Sequence, residues 1–316
     1  MKWIVKKWSL FVLIVFSSVA SAQKSGENTP QEVFYIKGIK LADGLLKKWI
    51  SEYTEIHPEV SFSIVGGNAQ EYAIEVLPSL KKENEEEEQT RSAIVPFGKY
   101  AILPIAGKDN VLLNEFRKKK LNEKRLKDLF FEKDLLSEDE PEKKKKFDLN
   151  VYSGINTYSV SHLFANHYGY EVNRLKGKKI IGDDSFLNNA VKKDTAGVTF
   201  NSLSHIFNLE SRQLNEGIVL IPLDIKKEYA EILDEKNLDE TILLLENKNI
   251  DLIPVEELAF VLPDKVDSKV IDFLEWVLSE GQDYVHKYGF IQLDKKTLSQ
   301  QQVHISGLKN KLFANR

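Results

Sequence analysis

Histidine is scarce in this chain and cysteine is absent. The six histidines are His57, His162, His167, His205, His286 and His304. A helical zinc pair needs ligands four residues apart, on one face, with a third ligand nearby. His162 and His167 are five apart and fall off that face, so no metal site is expected. With no cysteine, disulfides, thiolate nucleophiles, Cys-held metals and an N-terminal lipid on Cys are excluded. The sequence holds no G-x-S-x-G elbow, no phosphate-binding P-loop and no G-x-G-x-x-G turn. Paired carboxylates abound, as chance provides in a chain with 48 acidic residues. Nothing here assembles a catalytic group, so the chain reads as a non-enzyme with no cofactor.

The elements come from hydrophobic spacing. Val33 to Ile36 is a short apolar run that predicts a buried strand, followed by a turn over Lys37 to Lys40. Leu41, Leu45, Leu46, Trp49, Ile50, Tyr53 and Ile56 recur at helical spacing, and His57-Pro58 stops the helix. Val60 to Val65 is the next strand, ended by Gly66-Gly67. Strand, helix, strand in this order predicts a βαβ unit and a parallel sheet. Further on come a helical block (121–136), a strand (149–152), a helix (about 158–168) and strands near 197–200 and 217–221. Val270, Ile271, Leu274, Val277 and Leu278 form a last helical stripe, with Gly281 as its expected stop. Trp49 and Trp276 lie in apolar stripes and are expected in the core. Two segments, 96–105 and 254–263, each read as a proline followed by an apolar strand, and are expected to pair as crossing strands near a hinge. The acidic run at 80–92 and the mixed-charge run at 137–146 are expected to be solvated loops.

The N-terminus carries an export signal: Lys2, Lys6 and Lys7, an apolar run from Trp8 to Phe16, then small residues ending Ala20-Ser21-Ala22. Cleavage is expected before Gln23, and the run is too short to span a bilayer. The expected location is periplasmic, as a non-lipoprotein with no membrane span after cleavage. Removing the signal leaves 294 residues, enough for two lobes. The net charge of −4 falls to near −7 without the three signal lysines, so no nucleic acid is expected as a partner.

Taken in order, these pieces resemble the PstS-like family, the periplasmic phosphate-binding proteins of ABC transporters. The resemblance runs from about Val33 to Leu293. It rests on 45–65 with Trp49 and His57-Pro58, on Leu126-Lys127-Asp128-Leu129-Phe130, on Val151-Tyr152-Ser153, and on Phe273 to Gln282 followed by Tyr288-Gly289-Phe290. It implies an α/β type II periplasmic binding protein fold: two lobes, each a mixed, mostly parallel sheet flanked by helices, joined by two crossing segments. Residues 31–98 and 255–316 would form lobe 1, and 99–254 lobe 2, after a signal at 1–22.

The resemblance also implies a ligand shell. Lys37 and Lys40 would supply charge, Gly38, Gly67 and Asn68 backbone donors, and Ile39 the rest of the first loop. Ser153, Asn156, Thr157 and Ser159 would close the shell from the second lobe, with Ser159 or Thr157 also a plain helix cap. The family's usual Asp and Arg are absent from 73–79 and its Ser-Gly-Thr from 153–159. The expected function is therefore capture of phosphate or a related oxyanion for a membrane transporter permease. The alternative is a ligand-free scaffold that acts as a protein-interaction module in a cell-envelope complex.

Overall fold

The structure is a computed structural model, and it describes residues 31–66, 68–78, 93–132, 149–155 and 158–314. The signal, Gly67, the acidic run, the 137–146 run, Asn156 and Thr157 lie outside the described residues.

The βαβ unit forms as the spacing predicts. Strand β1 (Glu32–Lys37) lies parallel to β2 (Val60–Val65), with Phe34 opposite Phe62 and Ile36 opposite Ile64. Helix α1 (Asp43–Ile56) joins them and buries Leu45, Leu46, Trp49 and Tyr53. His57 caps its C-terminus, just before Pro58. Strand β3 (Ile74–Pro78) extends the parallel pairing on the other side of β1.

Strand β4 (Ala93–Gly107) is fifteen residues long and serves both halves of the molecule. Its first part, Ala93 to Ala101, pairs antiparallel with β9 (Val255–Leu262), and its second, Ile102 to Ala106, with β7 (Gly197–Ser202). The two segments expected to pair as crossing strands do so, with Tyr100 opposite Glu256. Beyond β7 the sheet continues in parallel through β5 (Asn150–Gly154) and β6 (Lys178–Ile180), while β8 (Ile218–Leu220) lies against β4. The sheet is mixed: parallel ladders at both outer ends, antiparallel ladders through β4 and β9. The antiparallel centre follows from chain direction, since one long strand leaves the first half and another returns to it.

Helices fill the faces. In the second half these are α2 (Leu113–Lys118), α3 (Glu123–Phe130), α4 (Val160–His167), α5 (Ser185–Lys193), α6 (Leu203–Ile206), α7 (Lys227–Asp234) and α8 (Leu238–Asn247). Helices α9 (Ser268–Val277) and α10 (Lys295–Ala314) return to the first half. Each half has an aromatic core. Trp49 meets Phe97 edge-on at 5.2 Å, and Phe97 lies 4.5 Å from Phe260. In the other half Phe164 stacks on Phe200 at 3.8 Å and meets Phe130 at 5.3 Å. Trp276 packs against the first core, partly buried.

The stop of α9 differs from expectation. The helix ends at Val277, and Gly281 sits inside a 3₁₀ turn (Glu280–Tyr284). Its role is close approach: the Trp49 indole N–H donates to the Gly281 carbonyl at 2.7 Å. A Cβ there would meet the Trp276 carbonyl and the Trp49 ring nitrogen at 3.2 Å each. A buried indole N–H needs a partner, and the glycine lets the backbone supply it.

Candidate functional site

In open α/β sheets, ligand crevices lie outside the carboxyl ends of the parallel strands. Here those ends are Lys37, Val65, Gly154 and Ile180. The loops that follow them come from both halves and lie within electrostatic range of one another. Tyr158 contributes to the field at Lys37, and Asp183 to the field at Lys40.

On the first wall, the lysines expected to supply charge are held by acids. Lys37 Nζ lies 2.8 Å from Glu75 Oε1 and 4.9 Å from the Tyr72 ring centroid. The hydrogen bond to Glu75 raises the Lys37 pKa, against the opposing effect of burial. Lys40 Nζ lies 3.0 Å from Asp43 Oδ2, and that bond raises its pKa in turn. Gly38 is where side chains crowd: a Cβ would sit 3.1 Å from Ile64 Cγ2. Its N–H, expected as a ligand donor, points to the Val65 carbonyl at 3.3 Å. Ile39 is buried and accepts from the Ala42 N–H, closing the 3₁₀ turn (Lys40–Ala42) that leads into α1. Asn68 is exposed, in the turn after β2.

The second wall is a buried polar network. Ser153 is fully buried and accepts from Lys179 Nζ at 3.0 Å. Lys179 also donates to the Leu175 carbonyl at 2.6 Å, and burial pushes its pKa down. The Gly154 N–H donates to Ser161 Oγ at 2.6 Å. Ser159 caps α4, its hydroxyl accepting from the His162 N–H at 3.4 Å. The next free donor of that helix, the Val160 N–H, gives its hydrogen bond to Asp184 Oδ2 at 3.1 Å. Asp184 is 6% exposed. Burial pushes its pKa up to about 6, with Asp183 adding to the rise and the Val160 N–H opposing it. Asn201 fixes the Asp184 backbone, donating to its carbonyl at 2.7 Å and to Asn188 Oδ1 at 3.0 Å.

Behind this wall Ser202 and His205 are hydrogen-bonded, with Asp183 nearby. His205 Nδ1 lies 2.8 Å from Ser202 Oγ and its Nε2 3.9 Å from Asp183 Oδ1. Burial pushes the His205 pKa down, which favours the neutral ring, and Asp183 only partly offsets it. Ser202 is itself 1% exposed, so it presents no nucleophile, and Asp183 is held by the Ser185 N–H at 2.8 Å.

The structure thus brings Lys37, Gly38, Ile39 and Lys40 to one wall and Ser153 and Ser159 to the other, while Asn68 is exposed in the turn after β2. Four residues join the site that sequence reasoning did not single out for it: Glu75, Tyr158, Asp183 and Asp184. Glu75 lies in the segment noted only for lacking Asp and Arg. The signal for Asp183 and Asp184 was Gly182-Asp183-Asp184-Ser185 ahead of the helical pair Leu187 and Val191, an ordinary helix start. A helix N-terminus offers unpaired donors and partial positive charge to an anion. At α4 that place is taken by the protein's own carboxylate.

No protein-family profile and no curated protein sequence matches the chain. Solved structures do. A candidate phosphate ABC transporter substrate-binding protein of Clostridium perfringens, with phosphate bound, superposes with a TM-score of 0.56 at 16% identity, covering 83% of this chain and 100% of that one. An ABC-type phosphate transport receptor of Vibrio cholerae gives 0.55 at 13% identity, over 82% and 100% of the two chains. A candidate phosphate-binding protein of Planctomyces limnophilus gives 0.54 at 10% identity, over 88% and 98%. The chain has the mixed α/β fold of the type II periplasmic binding proteins, the fold of PstS-like phosphate-binding proteins.

Proposed function

We propose that this chain is an exported solute-binding protein, carried across the inner membrane by the signal at 1–22 and working in the periplasm. Its two lobes, 31–98 with 255–316 and 99–254, close about the paired strands β4 and β9 on a small solute, phosphate or a related oxyanion. The closed form is then presented to a membrane transporter permease. The observation that carries this reading is the meeting of the loops after β1 and β5, with Lys37 and Lys40 on one side and the α4 start on the other, in a fold shared with a phosphate-bound structure. The chemistry is capture, not catalysis. An incoming anion would draw Lys37 from Glu75 and Lys40 from Asp43, and would meet Asp184 where a free helix terminus is usual.

That last feature favours a second reading, in which the scaffold binds no solute and serves as an interaction module in an envelope complex. One experiment separates them. The protein of residues 23–316 is melted with and without millimolar phosphate, sulfate, molybdate and arsenate. A ligand at a hundredfold excess over Kd stabilises the folded state by about 2.7 kcal/mol, a rise of several degrees. A phosphate-selective rise supports capture, and Lys37→Ala with Lys40→Ala should then remove it. No rise with any of the anions overturns the oxyanion reading and favours the interaction module.

A further inference from the structure

A second concave site lies away from the cleft, in the half built on β7. Helices α2 and α7 flank strand β8 without closing over it, and leave a cavity of about 370 Å³. This is the size of a small-molecule site rather than of an extended protein groove. Its floor is apolar: Pro104 from β4, Leu220 and Leu223 from β8 and the loop after it, and Leu233 from α7. The floor is a fixed part of the fold. Pro104 accepts from the Ile221 N–H at 2.9 Å, and the Leu121 N–H donates to the Pro222 carbonyl at 2.8 Å.

The rim is cationic. Arg117, Lys120 and Lys236 line it, against the single carboxylate of Asp234. Among the described residues none of these three cations makes an ion pair, and Arg117 reaches only Asn114 of its own helix, at 3.4 Å. Their charge is therefore not committed to an acid of the protein, as that of Lys37, Lys40, Arg212 and Lys309 is. Lys236 also turns the chain in the left-handed region, with φ of 57°. It is the residue after the α7 C-cap, where helices commonly end in this conformation.

We propose that this cavity is a binding site for a free alkyl carboxylate, a single anionic head on an apolar chain. The chain would cover Pro104, Leu220, Leu223 and Leu233. The carboxylate would complete the charge of Arg117, Lys120 and Lys236, which suits bidentate and point-charge contacts to an anion at a pocket mouth. Apolar burial supplies the affinity and the rim charge the selectivity. The site is independent of the cleft and of what the cleft holds.

The test is calorimetric titration of the protein of residues 23–316 with decanoate below its micellar concentration. Saturable binding is expected, with decanol and decyltrimethylammonium each at least about tenfold weaker. Arg117→Glu combined with Lys120→Glu should weaken decanoate by about tenfold or more. Both residues are free of ion pairs, though Arg117 lies in the last turn of α2, so the melting temperature should fall by no more than about a few degrees and show that the fold survives. Leu220→Trp, which fills the cavity, should abolish binding, while Lys37→Ala in the cleft should leave it intact. Absence of saturable decanoate binding overturns the proposal. So does equal binding by the rim-reversed protein, equal binding of decyltrimethylammonium, or loss of binding in Lys37→Ala.

Discussion

The two walls of the candidate site satisfy their charges in different ways. On the first, each cation meets one carboxylate by a single side-chain contact, Lys37 with Glu75 and Lys40 with Asp43, and the pairs reach solvent. On the second, the polar groups are locked in a buried network: Lys179 on Ser153, Gly154 on Ser161, Val160 on Asp184, Asn201 on Asp184 and Asn188. A partly exposed pair can exchange partners at less cost than a buried network, which loses a hydrogen bond it cannot replace. The first wall is therefore the one that can adapt to a ligand, and the second is a fixed frame. The substitutions below break that contrast at its strongest point first.

Asp184 should show the largest effect. Its pKa of about 6 in the folded protein lies above that of an unfolded aspartate, about 4. The folded state therefore holds the proton more tightly. The resulting stability is fully present below about pH 4 and is lost as pH rises through about 6. Above that pH the ionised, buried carboxylate costs on the order of 2–3 kcal/mol. Asp184→Asn keeps an acceptor for the Val160 N–H and removes the charge. The variant should melt several degrees above the parent at pH 8 and lose that advantage by pH 4. Equal melting at both pH values would show that the α4 terminus compensates the charge fully, and the second wall would then be an anion site in which Asp184 stands in for a ligand.

Lys37 comes next. It and Glu75 are 22% and 14% exposed, between the surface case, worth at most about 1 kcal/mol, and the buried case, where breaking a pair costs about 3–5 kcal/mol. Lys37→Met should therefore destabilise by about 1–2 kcal/mol in urea unfolding. Glu75→Gln in the same chain should recover much of the loss, giving a coupling near 1 kcal/mol in a double-mutant cycle. A coupling near zero would mean that Lys37 holds the wall through Tyr72 rather than Glu75, and the first wall would be less exchangeable than the contrast requires.

The elements of these walls were legible to different degrees. The β1–α1–β2 unit could be read because its signals are local: helical recurrence of Leu45, Leu46, Trp49 and Tyr53, then alternation of Val60 and Phe62. The crossing strands could be read because both are apolar runs set off by proline. Strand β3 was not recognised as a strand, since Glu75 interrupts a five-residue segment whose partner, β9, lies about 180 residues on. The three-residue β6, Lys-Lys-Ile, has no pattern to detect. In the site, Ser159 was visible as a cap because capping acts over three residues. The Asp184 bond to Val160 spans 24 residues, and nothing near Val160 announces it. The chemistry that most alters the reading of the cleft is thus the part carried by long-range contacts.

Lys40 should give the smallest effect on the fold, and that makes it the sharpest probe of the first wall. Its side chain is 72% exposed, while its partner Asp43 is 17% exposed and sits in the first turn of α1. An acid there is stabilised by the helix dipole whether or not the lysine is present. Lys40→Ala should therefore change stability by no more than about 0.5 kcal/mol. With the fold held constant, any fall in the melting response to phosphate must come from the contact between Lys40 and the ligand. Lys37→Met cannot make that separation, because it disturbs the wall as well. If Lys40→Ala costs more than about 1 kcal/mol, the exposed pair does structural work that surface pairs do not. The contrast between an adaptable wall and a fixed one would then fail at the residue where it should hold most easily.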